Sequence, residues 1–311
     1  SGMTLRHLTS VADLSPGDIE EIFSMTRELK FCYARGIRDN SLEGKTLVMI
    51  FEKSSLRTRV SFEVAMRQLG GYALYLTRRD IDLGRRESVK DVAMTLSRYA
   101  DAIALRTFAH EVVVEMAKNS SIPIINALSD YLHPCQALTD LYTVLEKLGA
   151  LTGLKLSFVG DGNNVARSLA LLCAKLGVIF QIASPKNYQF SKDFKKEVRA
   201  MAKGDTLLVS DNPREVVKGA DVIYTDTWIS MGQEVEAEKR RKDFQGYQVD
   251  SSLVAMAKKG VLVMHCLPAH RGEEITSEVL DGPNSIIYDL AENRLHVQKA
   301  ILKFLIPPKG V

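Results

Sequence analysis

Apolar and polar positions follow two different rhythms along this chain. Short apolar runs such as Thr46–Phe51 predict buried strands. Between these runs, apolar residues recur at intervals of three and four positions, as at Phe62, Met66 and Leu69, which predicts amphipathic helices. The alternation of strand and helix is typical of an α/β protein with parallel sheets.

The pattern divides the chain into two halves. The first half predicts four strand–helix units, and the second starts afresh at Lys155 after a predicted hinge at Leu148–Ala150. The predicted strands are Thr46–Phe51, Ala73–Leu76, Ala102–Arg106, Pro123–Asn126, Lys155–Val159, Val178–Ile182, Thr206–Ser210, Val222–Thr225 and Val261–Met264. A chain of 311 residues exceeds the usual size of one domain. We therefore expect two parallel-sheet α/β domains, residues 1–147 and 148–311, with the active site in the cleft between them. The final helix, about 291–306, is expected to pack back on the first domain.

Polar clusters follow the predicted strands again and again. Because ligands of open parallel sheets bind beyond the carboxyl ends of the strands, these clusters predict a binding site without naming its ligand. The clusters are Ser55–Arg59, Arg106, His133–Gln136, Gly160–Asn164, Asp226–Gly232 and His265–Pro268.

Ser55–Arg59 has the chemistry of an anion site. The segment lies at a predicted helix start, where free backbone N–H groups and the helix dipole favour negative charge. Its arginines can bind phosphate oxygens in pairs. The same residues also fit an ordinary surface helix with an N-capping serine and exposed arginines, so the segment alone leaves both interpretations open.

Composition excludes several other classes of protein. Apolar residues make up 46% and charged residues 25%, as in a globular enzyme, and the formal net charge of +3 is too small for a nucleic-acid or membrane surface. The mixed charges of Glu236–Lys242 predict a solvated helix face. Cys32, Cys135, Cys173 and Cys266 are scattered without CxxC pairing, which favours free thiols over disulfides or a zinc site.

Five ordered motifs resemble those of the aspartate and ornithine carbamoyltransferase family. Ser55–Arg59 (SLRTR) resembles the STRTR phosphate motif, and His133–Gln136 (HPCQ) resembles the HPxQ motif. Asp226–Gly232 (DTWISMG) and His265–Pro268 (HCLP) resemble the ornithine branch, since the aspartate branch carries HPLP and lacks the SMG loop. Ala291–Arg294 (AENR) matches the last motif, and the similarity extends over essentially the whole chain.

The resemblance implies that the first domain binds carbamoyl phosphate. Arg106 would bridge the phosphate and the carbonyl oxygen, His133 would donate to that oxygen, and Gln136 would hold the carbamoyl NH2 group. Cys266 and the backbone carbonyl of Leu267 would lie beside the carbamoyl group and the attacking nitrogen. The implied catalytic residues are Arg106, His133 and Cys266. The implied carbamoyl phosphate-binding residues are Ser55, Leu56, Arg57, Thr58, Arg106, His133, Gln136, Cys266, Leu267 and Arg294.

The second domain would bind the amino acid. The ornithine-binding positions implied by the resemblance are Asn164, Asp226, Ser230 and Met231, with Asp226 as the natural partner of the α-ammonium. The implied reaction moves the carbamoyl group onto the δ-amine of ornithine and needs no metal or cofactor. A carbamoyltransferase for putrescine or an acylated ornithine is the alternative within the family.

Two positions depart from the family pattern. Leu56 stands where the phosphate motif usually has threonine, which is tolerable if its side chain points away from the ligand. Family members also place a glutamine or histidine near Asp82 that reaches carbamoyl phosphate in an adjacent subunit. An aspartate would repel a phosphate, so the loop Arg78–Glu87 is left out of the predicted site.

Other classes of protein fit parts of the sequence. Gly160–Val165 gives GxGxxV, a partial dinucleotide fingerprint, but no acidic residue follows the next strand to bind a ribose. Cys266 with His133 could form a cysteine hydrolase, and His265, Cys266 and His270 could bind a metal ion. A non-catalytic binding protein of the same fold is a further alternative.

The family resemblance also implies an assembly and a location. We expect a homotrimer that takes small-molecule substrates and binds neither nucleic acid nor membrane. A targeting segment is not recognisable, so we expect a cytoplasmic protein, or one of the mitochondrial matrix if a transit peptide has been removed.

Overall fold

Nine parallel strands and twelve α-helices lie within residues 4–308, the part of the chain that the computed structural model describes. The strands are β1 (Thr46–Phe51), β2 (Tyr72–Thr77), β3 (Ala102–Arg106), β4 (Ile124–Leu128), β5 (Lys155–Val159), β6 (Ile179–Ala183), β7 (Leu207–Ser210), β8 (Val222–Thr225) and β9 (Leu262–His265). The helices are α1 (Pro16–Ala34), α2 (Leu56–Gln68), α3 (Val89–Tyr99), α4 (His110–Asn119), α5 (Pro134–Leu148), α6 (Asn164–Leu176), α7 (Lys192–Met201), α8 (Pro213–Val217), α9 (Ala237–Asp243), α10 (Ser251–Val254), α11 (Ser277–Leu280) and α12 (Ile287–Leu305).

The chain forms two units, and both boundaries between them fall inside long helices. The first unit contains the residues up to Tyr142, in α5, and those from Glu292 onward, in α12. The second unit is Thr143–Ala291. The two parallel-sheet α/β domains expected from the sequence are thus confirmed as a fold, and the roles assigned to residues 1–147 and 148–311 stay a prediction.

The first unit is built on a parallel sheet with strand order β2-β1-β3-β4. Strands β1 and β3 are central and almost wholly buried, which explains why their sequences are continuous apolar runs. Strand β2 is an edge strand, and it leaves Tyr72 and Leu74 exposed. Each strand is followed by a helix, as the four predicted strand–helix units require.

The second unit has a parallel sheet with strand order β7-β6-β5-β8-β9. Its core includes Val159, Ile223 and Val263 from three neighbouring strands, packed with Phe244 and Val249 from the following segments. In both sheets the chain reverses its direction of strand addition, between β1 and β3 and between β5 and β8. These switch points are where ligands of open α/β sheets bind.

Several predicted element boundaries were wrong. Strands β1, β3, β5 and β8 have the predicted bounds, whereas β4 begins one residue later and continues to Leu128, and β9 extends to His265. Helix α12 begins at Ile287, four residues before the predicted start. Helix α1 was not predicted, and α4 was expected from the four strand–helix units but without bounds. Helix α1 carried a usable signal, since Ser15 and Asp18 form a capping box around Pro16.

The last helix is tied to other helices of the first unit. Gln298 donates to Ser61 of α2 at 2.7 Å, and Lys299 donates to Gln68 at 2.9 Å. Lys30 of α1 donates to Asn293 at 2.9 Å. None of the helices described between residues 4 and 308 is both long enough and apolar enough to cross a membrane.

Candidate functional site

The start of α2 lies just beyond the carboxyl end of β1, at the switch point of the first sheet. Ser55 caps this helix, and its hydroxyl accepts from the N–H of Thr58 at 3.3 Å. The N–H groups of Leu56 and Arg57 precede the first helical hydrogen bond and are oriented for an anion. The side chain of Leu56 is 75% exposed, so this residue can offer only its backbone N–H.

Arg294 of α12 joins two other predicted site residues, Thr58 and Gln136, in one buried network. Its guanidinium donates to Thr58 Oγ1 at 3.1 Å and to Gln136 Oε1 at 2.6 Å. Gln298 Oε1 accepts from Arg294 Nε at 2.9 Å, and Gln136 Nε2 donates to Asp140 at 2.8 Å. Because arginine can only donate, the amide oxygen of Gln136 must face Arg294, and the amide orientation is fixed.

Arg106 and His133 are both buried, with exposed fractions of 9% and 5%. Burial lowers the pKa of His133 well below its usual value, and the charges of Arg294 and Arg106 lower it further. The imidazole is therefore neutral near pH 7, a form that has one N–H donor and one acceptor nitrogen. A register shift between β3 and β4 occurs at Leu105/Arg106, and such irregularities can redirect a side chain near a site.

The low pKa of His133 has a consequence for stability. Burial also lowers the pKa of His7 and His296. Such histidines bind protons after unfolding once the pH falls below about 6.5, so protonation favours the unfolded state. We expect the free energy of unfolding to decrease as the pH falls from 7 towards 5, and to decrease less in His133→Asn. Urea unfolding at both pH values measures this, and an unchanged pH dependence in the variant would refute it.

The switch point of the second sheet holds a carboxylate, an amide and a thiol. Asp226 follows β8, is 8% exposed, and accepts from Asn163 Nδ2 at 2.9 Å. The Sγ atom of Cys266 lies 3.3 Å from the other oxygen of Asp226. Asn163 is the N-cap of α6, and Asn164 is the first residue of that helix. Ser230 and Met231 lie in the loop after Asp226, and Met231 is 50% exposed.

Arg240 ties together two loops of this second site. It donates to Asp161 in the loop after β5 at 3.0 Å and to the carbonyl of Trp228 in the loop after β8 at 3.0 Å. Burial raises the pKa of Asp161, and the nearby guanidinium of Arg240 partly offsets that effect. The prediction of a solvated face for residues 236–242 was wrong for Arg240, which is only 8% exposed. Its long side chain reaches a buried carboxylate that sequence spacing does not reveal.

Backbone geometry explains why glycine occupies two positions of the turn after β5. A Cβ atom at Gly162 would lie 2.7 Å from the carbonyl oxygen of Tyr188, and Gly160 has a φ of 146°. The next strand, β6, is followed by Ser184, where a dinucleotide-binding domain would have an acidic residue. The turn therefore does not support the oxidoreductase alternative.

Neither Cys135 nor the pair of Cys266 with its neighbour His265 has the arrangement of a cysteine hydrolase. Burial raises the pKa of Cys135 to about 12, so this thiol of the HPCQ segment stays protonated. The imidazole of His265 accepts from the N–H of Leu267 and contacts Glu274, so neither ring nitrogen is directed at Cys266. Asp226, His265 and Cys266 place potential ligand atoms within 4.8 Å of one another, but metal binding would break these contacts of His265.

The structure thus brings together Thr58, Gln136 and Arg294 in the first unit, and Asp226 and Cys266 in the second. The list of predicted site residues lacks Asp140, Asn163, Arg240 and Glu274, which contact residues of the predicted polar clusters. Only Asn163 had a local signal, as the N-cap residue next to Asn164.

Two open α/β sheets with polar clusters at their switch points define a two-domain α/β protein with a ligand-binding position at the edge of each sheet. Residues 6–146 match the family model described as the carbamoyl-P binding domain of aspartate/ornithine carbamoyltransferase, and residues 152–305 match its Asp/Orn binding domain. The chain belongs to the aspartate/ornithine carbamoyltransferase family.

Individual relatives cover nearly the whole chain. The ornithine carbamoyltransferase of Syntrophus aciditrophicus is 51% identical over 301 residues, covering 97% of this chain and 99% of that protein. That of Bacillus subtilis is 51% identical over 303 residues, covering 97% and 94%. The solved structure of ornithine carbamoyltransferase from Pyrococcus furiosus is 48% identical, has a TM-score of 0.95 and covers 100% of this chain and 99% of its own.

Proposed function

We propose that this protein transfers the carbamoyl group of carbamoyl phosphate to the δ-amine of L-ornithine, giving L-citrulline and phosphate. The observation that carries the proposal is that ornithine carbamoyltransferases about half identical to the chain align over nearly all of it. The DTWISMG and HCLP segments support ornithine rather than aspartate as the acceptor.

Carbamoyl phosphate is proposed to bind in the first unit. The phosphate would lie at the start of α2, where Ser55, Arg57 and Thr58 combine hydroxyls, a guanidinium and backbone N–H groups. Arg106 and neutral His133 would hold the carbamoyl carbonyl oxygen. Arg294 orients the side-chain oxygen of Gln136, which would accept a hydrogen bond from the carbamoyl NH2 group. An acceptor at this position favours a substrate group that can donate.

Ornithine is proposed to bind in the second unit. Asp226 would pair with the α-ammonium, and Asn164, Ser230 and Met231 would complete the amino-acid site. The contacts of Asp226 with Asn163 and Cys266 support this placement, because they hold the carboxylate at the edge of the sheet where ligands bind.

The proposed chemistry is a direct attack of the amine on the carbamoyl carbon. The neutral δ-amine is the reactive form, and an unperturbed alkylammonium titrates near about 10.4, so the amine must lose a proton before or during the attack. A C–N bond forms, the carbonyl oxygen gains charge, and the C–O bond to phosphate then breaks, while the proton still held by the attacking nitrogen passes to the departing phosphate. Arg57 and Arg106 would stabilise the charge of the departing phosphate, as donors do in oxyanion sites.

The assignment is tested by measuring ureido products from carbamoyl phosphate with four acceptors. We expect product with L-ornithine, and little with putrescine, N-acetylornithine or aspartate, without any added metal or cofactor. Product with aspartate but not ornithine would refute the choice of branch. Product with putrescine or N-acetylornithine in place of ornithine would assign the protein to the related amine.

The assembly and the location are proposed on the same basis. We propose a homotrimer in the cytoplasm, or in the mitochondrial matrix if a transit peptide has been removed. Exposed apolar side chains on the edge strand β2, Tyr72 and Leu74, are consistent with a surface covered by another subunit. Sedimentation of the active protein measures the assembly directly.

A further inference from the structure

A buried chain of hydrogen bonds runs from Glu274 through His265 to the backbone of Leu267. Glu274 Oε2 lies 2.8 Å from His265 Nε2, and both side chains have no exposed surface. His265 Nδ1 accepts from the N–H of Leu267 at 2.8 Å. Glu274 also accepts from the N–H of His270, with its two oxygens at 3.2 Å and 3.0 Å.

The backbone N–H of Leu267 and the carboxylate of Glu274 together determine which ring nitrogen of His265 carries the proton. A backbone N–H can only donate, so Nδ1 of His265 must carry a lone pair. The ring proton is then on Nε2, where it is donated to Glu274. The imidazole is a neutral ring in a single tautomer, and both of its nitrogens take part in these hydrogen bonds.

The residue at the end of this chain has an unusual backbone conformation. Leu267 has a φ of 60°, and within residues 4–308 it is the one residue other than glycine with a positive φ. A leucine keeps such a conformation only where the surrounding structure holds it, and residues of this kind cluster at active sites. The same backbone unit carries the carbonyl that we place beside the carbamoyl group and the attacking nitrogen.

We propose that Glu274 and His265 are positioning residues, which hold the backbone of Leu267 so that its carbonyl meets the reacting groups. His265 then acts through Leu267 and not by activating the thiol of Cys266. The inference rests on the proposed function for the identity of the reacting groups. The arrangement of the three residues does not depend on it.

The test compares two substitutions of His265, each of which places an amide group near the position of one of the two ring nitrogens. In His265→Asn, Oδ1 occupies roughly the position of Nδ1 and can still accept from Leu267. In His265→Gln, the terminal amide reaches the position of Nε2 and the acceptor for Leu267 is lost. We expect kcat to fall about a hundredfold in His265→Gln, the scale of a misplaced reacting group, and about tenfold or less in His265→Asn. The KM for carbamoyl phosphate should change little in both.

Two readouts do not require turnover. Hydrogen exchange of the peptide that contains Leu267 should be faster in His265→Gln than in His265→Asn. The pH dependence of Cys266 alkylation should be the same in both variants and the wild type. A shift of the alkylation profile to higher pH in the variants would mean that His265 activates the thiol, and would overturn the proposal. Equal kcat and equal exchange in the two variants would overturn it as well.

Glu274→Gln keeps an acceptor for His265 Nε2, and it provides the test if the His265 variants do not fold. We expect kcat to fall less in Glu274→Gln than in Glu274→Ala. Glu273→Ala changes the neighbouring residue and is the control, which should keep near wild-type kcat. Equal losses in Glu274→Gln and Glu274→Ala would contradict a positioning role. If the wild type makes no ureido product with any acceptor, the proposed function fails, while the exchange and alkylation results still decide whether His265 holds Leu267.

Discussion

Replacing Arg106 by alanine should lower kcat/KM for carbamoyl phosphate by at least about a hundredfold, the scale of losing one oxyanion-type donor. Arg106 is buried beside His133 at the end of β3, where a guanidinium can stabilise charge on the carbonyl and phosphate oxygens. Its contacts should strengthen as phosphate leaves, so the loss should fall mainly on kcat. Steady-state kinetics with each substrate varied in turn measure this.

Arg106→Lys and Arg98→Ala complete the Arg106 experiment. Lysine keeps the charge but not the planar pair of donors, so Arg106→Lys should recover only part of the activity. Arg98→Ala removes an exposed arginine from α3 in the same unit and should leave kinetics nearly unchanged. Near-normal kinetics in Arg106→Ala would show that our placement of carbamoyl phosphate is wrong.

Asp226→Asn should raise the KM for ornithine by at least about tenfold, because a buried charged pair loses roughly 2–5 kcal/mol when one partner is removed. Asparagine keeps the size of the side chain but removes the negative charge of the carboxylate, which we propose pairs with the α-ammonium of ornithine. The Kd of carbamoyl phosphate should change far less, since that ligand is placed in the first unit. Separate titration of each ligand, together with initial rates, distinguishes the two effects.

Asp281→Asn is the matched control for this variant. Asp281 pairs with Arg271 on the surface of the same unit, where its side chain is 53% exposed, and exposed ion pairs contribute little. It should leave both ligands unaffected. Unchanged ornithine kinetics in Asp226→Asn would mean that the carboxylate only holds Asn163 and Cys266, and the amino-acid site would have to lie elsewhere.

Local sequence determined much of the fold. Strands β1, β3, β5 and β8 lie where the apolar runs predicted them, because each is a central strand buried on both faces and bounded by polar residues. The ends of β4 and β9 were displaced by one or two residues, since pairing with a neighbouring strand and not composition decides where a strand stops. Helix α4 has no side-chain cap, so its start carried no local signal.

The sequence also located most of the proposed site, because its residues follow strands and the carboxyl ends of parallel strands share one edge. Ser55, Arg106, His133 and Asp226 could all be found in this way. What they touch could not be found. Arg294 meets Gln136 and Thr58 across 158 and 236 positions, and Arg240 meets Asp161 across 79.

The physical reason is that a sequence pattern reflects only interactions between residues close together in the sequence. Periodicity and capping describe residues within a turn or two of each other, so they predict elements and the polar segments that follow them. The orientation of the Gln136 amide, the low pKa of His133 and the tautomer of His265 depend on burial and on groups brought in by other elements. The amino-acid sequence therefore determined which residues are present at the edge of each sheet, and only the tertiary structure decided their protonation, orientation and contacts.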